Sequence, residues 1–301
     1  METFIHSGRL GSVLRIRGED AADYLQSQLT INVADLARGS VRYGLRLNAK
    51  GRVLAGAYVL HTGEEEFLLV SRKTKAEDWL VLLEENVVAD EVEFINETMD
   101  WRIHTLWREE ASVESSGPQL ETPESGNFME RDDGLIFPAP RLPPGSVAFL
   151  TPGDFLPKVG GIADDARPVD PNVLELRRIE SCMVSVPDEI GPGELPQEGG
   201  LEKHAVDFDK GCYLGQEMMA RMHAIGKARR QAVTVRKAGE GNVEVPADLY
   251  EGKRRIGTLK SLVMDEEGGL GIAIINESGI SFLEKDGLAL GGPEGEKITL
   301  P

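Results

Sequence analysis

The sequence predicts an α+β protein that ends in a small all-β unit, and three observations lead to this prediction. Residues 12–107 alternate between strand-like and helix-like segments, in an order typical of antiparallel sheets covered by helices. After Gln231 the chain changes to short strands divided by Gly, Asn and Asp turns, which is typical of a barrel. The 301 residues exceed one compact domain. We expect two interleaved α+β subdomains over 1–230 and a β-barrel domain over 231–301.

The first hundred residues contain the elements of the mixed region. In chain order we predict a strand at 12–17, a helix capped by Asp20, a hairpin of 41–47 and 52–60, a strand at 67–71, a helix at 74–85, and strands at 92–98 and 101–107. The two helices are assigned from apolar residues that recur at helical spacing. Trp79, Leu80 and Leu83 mark the inward side of the second helix.

The middle of the chain combines irregular segments with one helix. Residues 111–130 are rich in Ser, Pro, Gly and Glu and have no period, so we expect a loop or linker. Asp170 followed by Pro171 predicts a helix start, and the helix should run to about Ser181. Residues 187–200 form a long irregular connection, and such connections are often functional in compact folds.

Composition limits the class of protein. Acidic residues outnumber basic ones 51 to 33, so the net charge of −18 disfavours direct binding to nucleic acid. No apolar run is long enough to cross a bilayer, and the first residues do not have the pattern of a secretion signal, so we expect a cytoplasmic protein without membrane contact. Cys182 and Cys212 are the two cysteines, and in a reducing compartment they should be free thiols.

The segment Lys210-Gly-Cys-Tyr-Leu-Gly-Gln-Glu217 is the strongest candidate for chemistry. A thiol ionises more readily beside a cation and at a helix N-terminus. Cys212 has Lys210 two residues before it and a predicted helix start at 213–215. From spacing alone the alternative stays open that Cys212 is a small buried apolar residue. His204 and His223 have no metal-ligand spacing relative to this cysteine, and the glycine-rich phosphate motifs are absent, so we predict no metal, ATP or dinucleotide site.

This segment, with Ala220-Arg221 and Gly226-Lys-Ala-Arg-Arg230 behind it, closely resembles the signature of the YgfZ-type folate-binding proteins. They belong to the superfamily of the glycine-cleavage T-protein, a tetrahydrofolate-dependent aminomethyltransferase. Other stretches agree in order and spacing: 25–36, Leu47–Arg52, Arg178-Ile-Glu180 and Pro196-Gln-Glu198. The resemblance covers the chain from about residue 12 to its end.

The resemblance implies a ring of three small domains, two α+β and one β-barrel, around a folate-sized central hole. It implies that tetrahydrofolate or a derivative binds there, and that the protein serves iron–sulphur client proteins. The oligomeric state stays open, with a monomer favoured. Glu180 follows Arg178-Ile and so matches the superfamily's pterin-binding glutamate. A carboxylate can accept the paired N–H groups of a pterin edge, which suits this role. The other folate-contacting candidates are Arg221 for cationic contact, Tyr213 and Tyr43 as stacking faces, and Gln216 and Glu217 from the motif.

One departure from the superfamily separates the possible functions. The aminomethyltransferases carry an aspartate in the second strand of the first hairpin, and residues 52–60 contain no acid here. The resemblance therefore favours a folate-binding protein that supports assembly or repair of iron–sulphur enzymes, including tRNA-modifying ones, with Cys212 as functional thiol and Lys210 as its activator. A folate-dependent aminomethyl- or methyltransferase is the first alternative. A protein-binding scaffold without catalysis is the second.

Overall fold

The computed structural model describes residues 2–108, 122–143, 145–153, 166–226, 228–241 and 243–301. Most of the predicted loop at 111–130 lies outside these ranges. Five α-helices are found in them: α1 (Ala21–Gln28), α2 (Ala76–Glu84), α3 (Pro171–Glu180), α4 (Gln216–Ile225) and α5 (Glu277–Lys285). The strands form two open sheets and a closed barrel.

The first sheet has the order β3-β4-β5-β2-β6. Its strands are β2 (Ser12–Arg17), β3 (Val41–Leu47), β4 (Val53–Gly63), β5 (Glu66–Ser71) and β6 (Glu93–Asn96). Each pair of neighbours is antiparallel. Side chains alternate between the two faces: Phe67 and Leu69 pack with helices α1 and α2 on one side, and Leu68 and Val70 pack in a second core on the other.

The second core lies between the first sheet and a six-stranded sheet of order β11-β1-β7-β10-β9-β8. Its strands are β1 (Thr3–Gly8), β7 (Trp101–Arg108), β8 (Met129–Arg131), β9 (Gly134–Pro138), β10 (Val147–Pro152) and β11 (Arg167–Pro168). Ile103, Phe137 and Leu150 of the six-stranded sheet pack in this core. The first sheet is therefore covered on both faces, which explains why β5 reads as an uninterrupted apolar run.

The C-terminal strands close into a six-stranded barrel. They are β12 (Arg230–Lys237), β13 (Ala247–Glu251), β14 (Arg254–Asp265), β15 (Gly268–Asn276), β16 (Leu288–Leu290) and β17 (Lys297–Thr299). A third core joins this barrel to the rest of the chain, because Ile272 and Ile274 of β15 share it with Leu45 of β3 and Ile179 of α3. The α+β class and the C-terminal barrel predicted from the sequence are confirmed.

Local details differ from the predictions at two places. Asp20 precedes α1, but its carboxylate accepts a hydrogen bond from the Glu91 backbone N–H instead of capping the helix. The spacing of Met218, Met219, Met222 and Ile225 in the sequence predicts one buried side of α4. Ile225 is instead 63% exposed, and only Met219 of that helix is buried. Asp170 does cap α3 as predicted, since its side chain accepts from the Asn172 N–H. Among the described helices, none is long and apolar enough to cross a membrane.

Candidate functional site

The motif segment, residues 210–217, lies between the end of α1 and the turn that joins β3 to β4. The Leu214 N–H donates to the Ser27 carbonyl oxygen at 3.2 Å. Gly215 has a φ of 88°, and a Cβ there would lie 2.7 Å from the Asn48 carbonyl oxygen. A glycine is therefore required where the chain turns into α4. Gly51 of the opposing turn is crowded in the same way by Met218.

The buried ammonium group of Lys210 anchors this segment to the end of α1 and the residues after it. Its ammonium group donates to the carbonyl oxygens of Gln26 at 2.6 Å, Leu29 at 2.7 Å and Ile31 at 2.7 Å. It also lies 5.0 Å from the centre of the Tyr213 ring, within the range of a cation–π contact. The residue is only 6% exposed, and burial lowers the pKa of Lys210 to about 8.

The activation of Cys212 by Lys210 stays a prediction, and the contacts of the ammonium group indicate a further, structural role. An ammonium group has three N–H donors, and all three of Lys210's are directed at backbone carbonyls. The thiol also lies outside the first turn of a helix, since α4 begins at Gln216. Cys212 is exposed and therefore accessible to a partner molecule, and the alternative of a buried apolar cysteine is wrong.

A cleft opens where the first sheet, the segment after β9 and helix α3 meet. Its lining includes Tyr43 and Tyr58 of the hairpin, Arg72 and Lys73 after β5, Arg141 and Leu142 after β9, Glu175 and Arg178 of α3, and residues 184–186. The enclosed part measures about 40 Å³, and the cleft measures about 450 Å³ when its open mouth is included. The rings of Tyr43 and Tyr58 are in edge-on contact, with 5.1 Å between their centres. The Arg141 guanidinium lies over the face of the Tyr43 ring, 5.4 Å from the ring centre.

Cationic groups dominate the cleft. Arg72 makes one long hydrogen bond, 3.5 Å to the Thr105 hydroxyl, and burial lowers its pKa. Arg141 donates from Nη2 to the Val184 carbonyl oxygen at 2.6 Å, but its buried Nε has no hydrogen-bond partner in the described part of the chain. Burial raises the pKa of Glu175, and Arg178, Lys73 and Arg72 together lower it by more, so this carboxyl stays ionised.

Arg178 connects the cleft to the barrel. Its guanidinium forms two parallel hydrogen bonds, both 2.8 Å, to the carboxylate of Glu189, which is 0% exposed. Glu175 accepts a third bond from Nε at 2.9 Å. The Ser185 N–H donates to Glu189 at 2.6 Å, and the Ser261 hydroxyl of β14 also donates to it. One buried ion pair thus joins α3, the following loop and the barrel.

A second ion cluster attaches residues 187–200 to the barrel. Arg230 of β12 binds the Glu198 carboxylate at 2.8 and 3.0 Å, and Lys260 of β14 lies 3.0 Å from Glu194. Both carboxylates are buried. The long connection predicted from the sequence to be functional therefore has a structural role, because it carries the charges that hold the barrel against the first sheet.

Comparison with known proteins identifies the fold and the relatives. A family model described as the GCVT N-terminal domain matches residues 10–107. The chain is 22% identical over 282 residues to the "tRNA-modifying protein YgfZ" of Aliivibrio fischeri, covering 88% of this chain and 82% of the relative. The solved structure of aminomethyltransferase T from Bartonella henselae matches with a TM-score of 0.74 at 16% identity, over 99% of this chain and 84% of that one. The chain thus has the fold of aminomethyltransferase T and resembles GcvT-like proteins of the YgfZ type.

Two further relatives of this chain come from a bacterium and a fungus. An uncharacterised protein of Haemophilus influenzae is 24% identical over 295 residues, covering 96% of this chain and 94% of the relative. A mitochondrial protein of Aspergillus fumigatus named as an IBA57 homologue and iron–sulphur cluster assembly factor is 26% identical over 251 residues. That match covers 74% of this chain and 55% of the relative, so the chain spans just over half of the fungal protein.

The fold brings only one of the predicted folate-contacting residues to the cleft. Tyr43 lines it. Glu180 lies at the end of α3 with a half-exposed carboxylate 3.6 Å from Arg177, and Arg221 is exposed on α4. Tyr213 is buried against Lys210, Gln216 donates to the Lys210 carbonyl oxygen at 3.3 Å, and Glu217 is exposed in the first turn of α4. None of these five lines the cleft, and their contact with folate stays a prediction.

Sequence reasoning missed the charged groups that do line the cleft. Arg72 and Lys73 follow β5 as an ordinary basic pair, and Arg141 follows an undistinguished strand. Glu175 is on the same helix as the chosen Glu180 but faces the cleft. Arg178 belongs to the stretch Arg178-Ile-Glu180, in which the resemblance implies a role for Glu180 alone. Within the described residues, no group of three or more His, Cys, Asp or Glu side chains could hold a metal ion.

Proposed function

We propose that this protein binds tetrahydrofolate or a derivative in the cleft, and supports the assembly or repair of iron–sulphur enzymes, including enzymes that modify tRNA. The names of the YgfZ and IBA57 relatives supply the iron–sulphur and tRNA part. The observation that carries the folate part is the concentration of Arg72, Lys73 and Arg141 in one cleft of a chain whose net charge is −18. Tetrahydrofolate supplies a carrier for one-carbon units.

The donor set of the cleft fits one end of this ligand well. The glutamate tail of a folate is anionic, and a carboxylate is the natural partner for the unpaired Nε of Arg141. The Tyr43 ring offers a flat face for stacking. The enclosed 40 Å³ is close to the volume of one water molecule. A pterin ring therefore occupies the open mouth, or enters after the Tyr43 side chain has moved.

Calorimetric titration of tetrahydrofolate into the anaerobic protein tests the site. We expect wild type to bind and Arg72→Met to bind at least about tenfold more weakly, because a desolvated charge pair with the ligand carboxylate is lost. Arg17→Met is the matched control, since Arg17 is an exposed cation paired with Glu93 at 2.7 Å. Equal affinity of Arg72→Met and wild type would exclude this cleft.

The same titration decides which glutamate contacts the pterin. Glu175→Gln changes the carboxylate that lines the cleft, and Glu180→Gln changes the one chosen from the motif. Loss of affinity in Glu180→Gln alone would restore the motif assignment, since it would require α3 to present Glu180 to the ligand. Loss in Glu175→Gln alone assigns the pterin edge to the carboxylate in the cleft.

Cys212 is the functional thiol of this proposal, because its exposed position on a firmly held segment suits contact with a client protein. We expect Cys212→Ala to fail to restore iron–sulphur enzyme activity in a strain lacking the protein, while Cys182→Ala restores it. Cys182 is half-buried, and burial raises its pKa, so it makes a poor thiolate. Full rescue by Cys212→Ala would remove the thiol from the function.

The transferase alternative is weakened by β4, which contains no carboxylate to position the folate nitrogen. The scaffold alternative gives no reason for cationic groups to gather around one cleft.

A further inference from the structure

A groove separate from the cleft lies beside the motif segment, next to Lys210 in the sequence. The proposed function does not use it. It lies between residues 31–36, residues 202–209 and the last turn of α4, and encloses about 580 Å³, a volume typical of ligand sites. Four carboxylates line it, those of Asp35, Glu202, Asp207 and Asp209. We call it the acidic groove.

The acidic groove combines these carboxylates with a flat aromatic wall. The rings of Phe208 and His223 are stacked with centres 4.0 Å apart and an angle of 29° between their planes. His223 is exposed, so the stacked pair is accessible from the His223 side. Two cations also line the groove, Arg42 and Lys203, and the Arg42 guanidinium donates to the carbonyl oxygens of Val41 and Gly126. The four carboxylates outnumber the two cations, so the acidic groove carries a net negative charge.

Glu202 provides an observation that points to a ligand. Its Oε2 atom is buried and has no hydrogen-bond partner within the part of the chain that the structure describes. A buried carboxylate oxygen without a donor is costly, and a donor from another molecule removes that cost. The oxygen belongs to a residue that lines the acidic groove, so a donor bound in the groove would reach it once the Glu202 side chain rotates outward.

We propose that the acidic groove binds an arginine-bearing segment of a protein partner. A guanidinium group is planar, so it can stack on the Phe208–His223 pair while its N–H groups pair with carboxylates such as Glu202 and Asp207. A lysine ammonium carries the same charge but has neither the flat face nor the fork of donors. The groove therefore distinguishes arginine from lysine, and does not merely attract positive charge.

The acidic groove also places such a segment close to the exposed thiol. Asp209 is three residues before Cys212, so their Cα atoms lie within roughly 11 Å of each other. Ile31 lines the groove, and its carbonyl oxygen is bound by the Lys210 ammonium, so the groove wall and the cysteine segment share one buried anchor. A partner held in the groove would present its own groups to Cys212. This inference does not depend on folate binding.

The test uses two synthetic peptides that differ only in their basic residues. Each is a short acetylated peptide with two arginines or two lysines, two glycines and a cysteine activated as a mixed disulfide with thionitrobenzoate. The Cys212 thiolate attacks the peptide sulphur, a new disulfide joins protein and peptide, and thionitrobenzoate leaves as a coloured thiolate. The rate is followed by absorbance, and the rate of Cys212→Ser protein is subtracted to remove reaction at Cys182.

We expect the arginine peptide to react about fivefold faster than the lysine peptide. Glu202→Gln should abolish most of this preference. Glu65→Gln, which removes the same charge from an exposed position outside the groove, should leave the preference intact. Equal rates for the two peptides with wild type would overturn the proposal, because net charge alone attracts both equally. An equal effect of Glu202→Gln and Glu65→Gln would overturn it as well.

Discussion

Arg178→Met should lower the free energy of unfolding by about 3–5 kcal/mol, because it leaves the buried carboxylate of Glu189 without its cation. The Ser185 N–H and the Ser261 hydroxyl would still donate to that carboxylate, but neither carries a charge. Glu175 would lose its partner as well. Urea unfolding followed by tryptophan fluorescence measures the change.

An exposed ion pair provides the control for this prediction. Arg17 and Glu93 are 2.7 Å apart with side chains that are 52% and 59% exposed, so Arg17→Met should cost less than about 1 kcal/mol. The double variant Arg178→Met/Glu189→Leu should regain much of the stability lost in Arg178→Met, since it removes the uncompensated charge. Equal losses in Arg178→Met and Arg17→Met would show that the buried pair does not hold the barrel in place.

The elements that could be predicted from the sequence are those with a local signal. Strand β2, the hairpin, the helix that starts at Asp170 and Pro171, and the change to barrel strands near Arg230 all depend on periodicity or capping within a few residues. The buried side of α4 was predicted less well. Its apolar residues are spaced as in a helix, but the surface that would cover Ile225 is not present in the described chain.

The cleft could not be predicted because its members come from distant segments and each has an ordinary setting in the sequence. Arg72, Arg141 and Glu175 meet only once two sheets and α3 have packed together. Glu175 and Glu180 are five residues apart, which places them about 140° apart around a helix. A motif match selects one of the two glutamates without stating which direction the helix faces.

The same limitation explains why the structural role of Lys210 was not predicted from the sequence. Two residues of separation from Cys212 suggested a contact with the thiol, but outside a helix or strand such spacing does not determine where a long side chain points. The ammonium instead reaches the carbonyl oxygens of Gln26, Leu29 and Ile31, which precede it by 184, 181 and 179 residues. The motif lysine therefore positions the cysteine segment against the end of α1.

Lys210→Met should lower the free energy of unfolding by about 3 kcal/mol at pH 7. Methionine keeps most of the apolar stem but leaves three carbonyl oxygens without their donor, each at a cost of about 1 kcal/mol. Lys203→Met is the matched control, because Lys203 is an exposed lysine seven residues earlier in the same loop region. Similar stability of the two variants would show that the three hydrogen bonds contribute nothing.

The pH dependence of that difference tests the state of the buried ammonium. The unfolded chain holds the lysine proton up to about pH 10.5, whereas burial lowers the pKa of Lys210 to about 8 in the folded protein. Between these values the unfolded chain binds more protons, so the stability of wild type relative to Lys210→Met should increase as the pH rises from 8 to 10.5, by on the order of 1–3 kcal/mol. A difference that stays constant to pH 10 would mean that the three carbonyl dipoles outweigh desolvation. The lysine would then remain a charged anchor for the cysteine segment throughout this range.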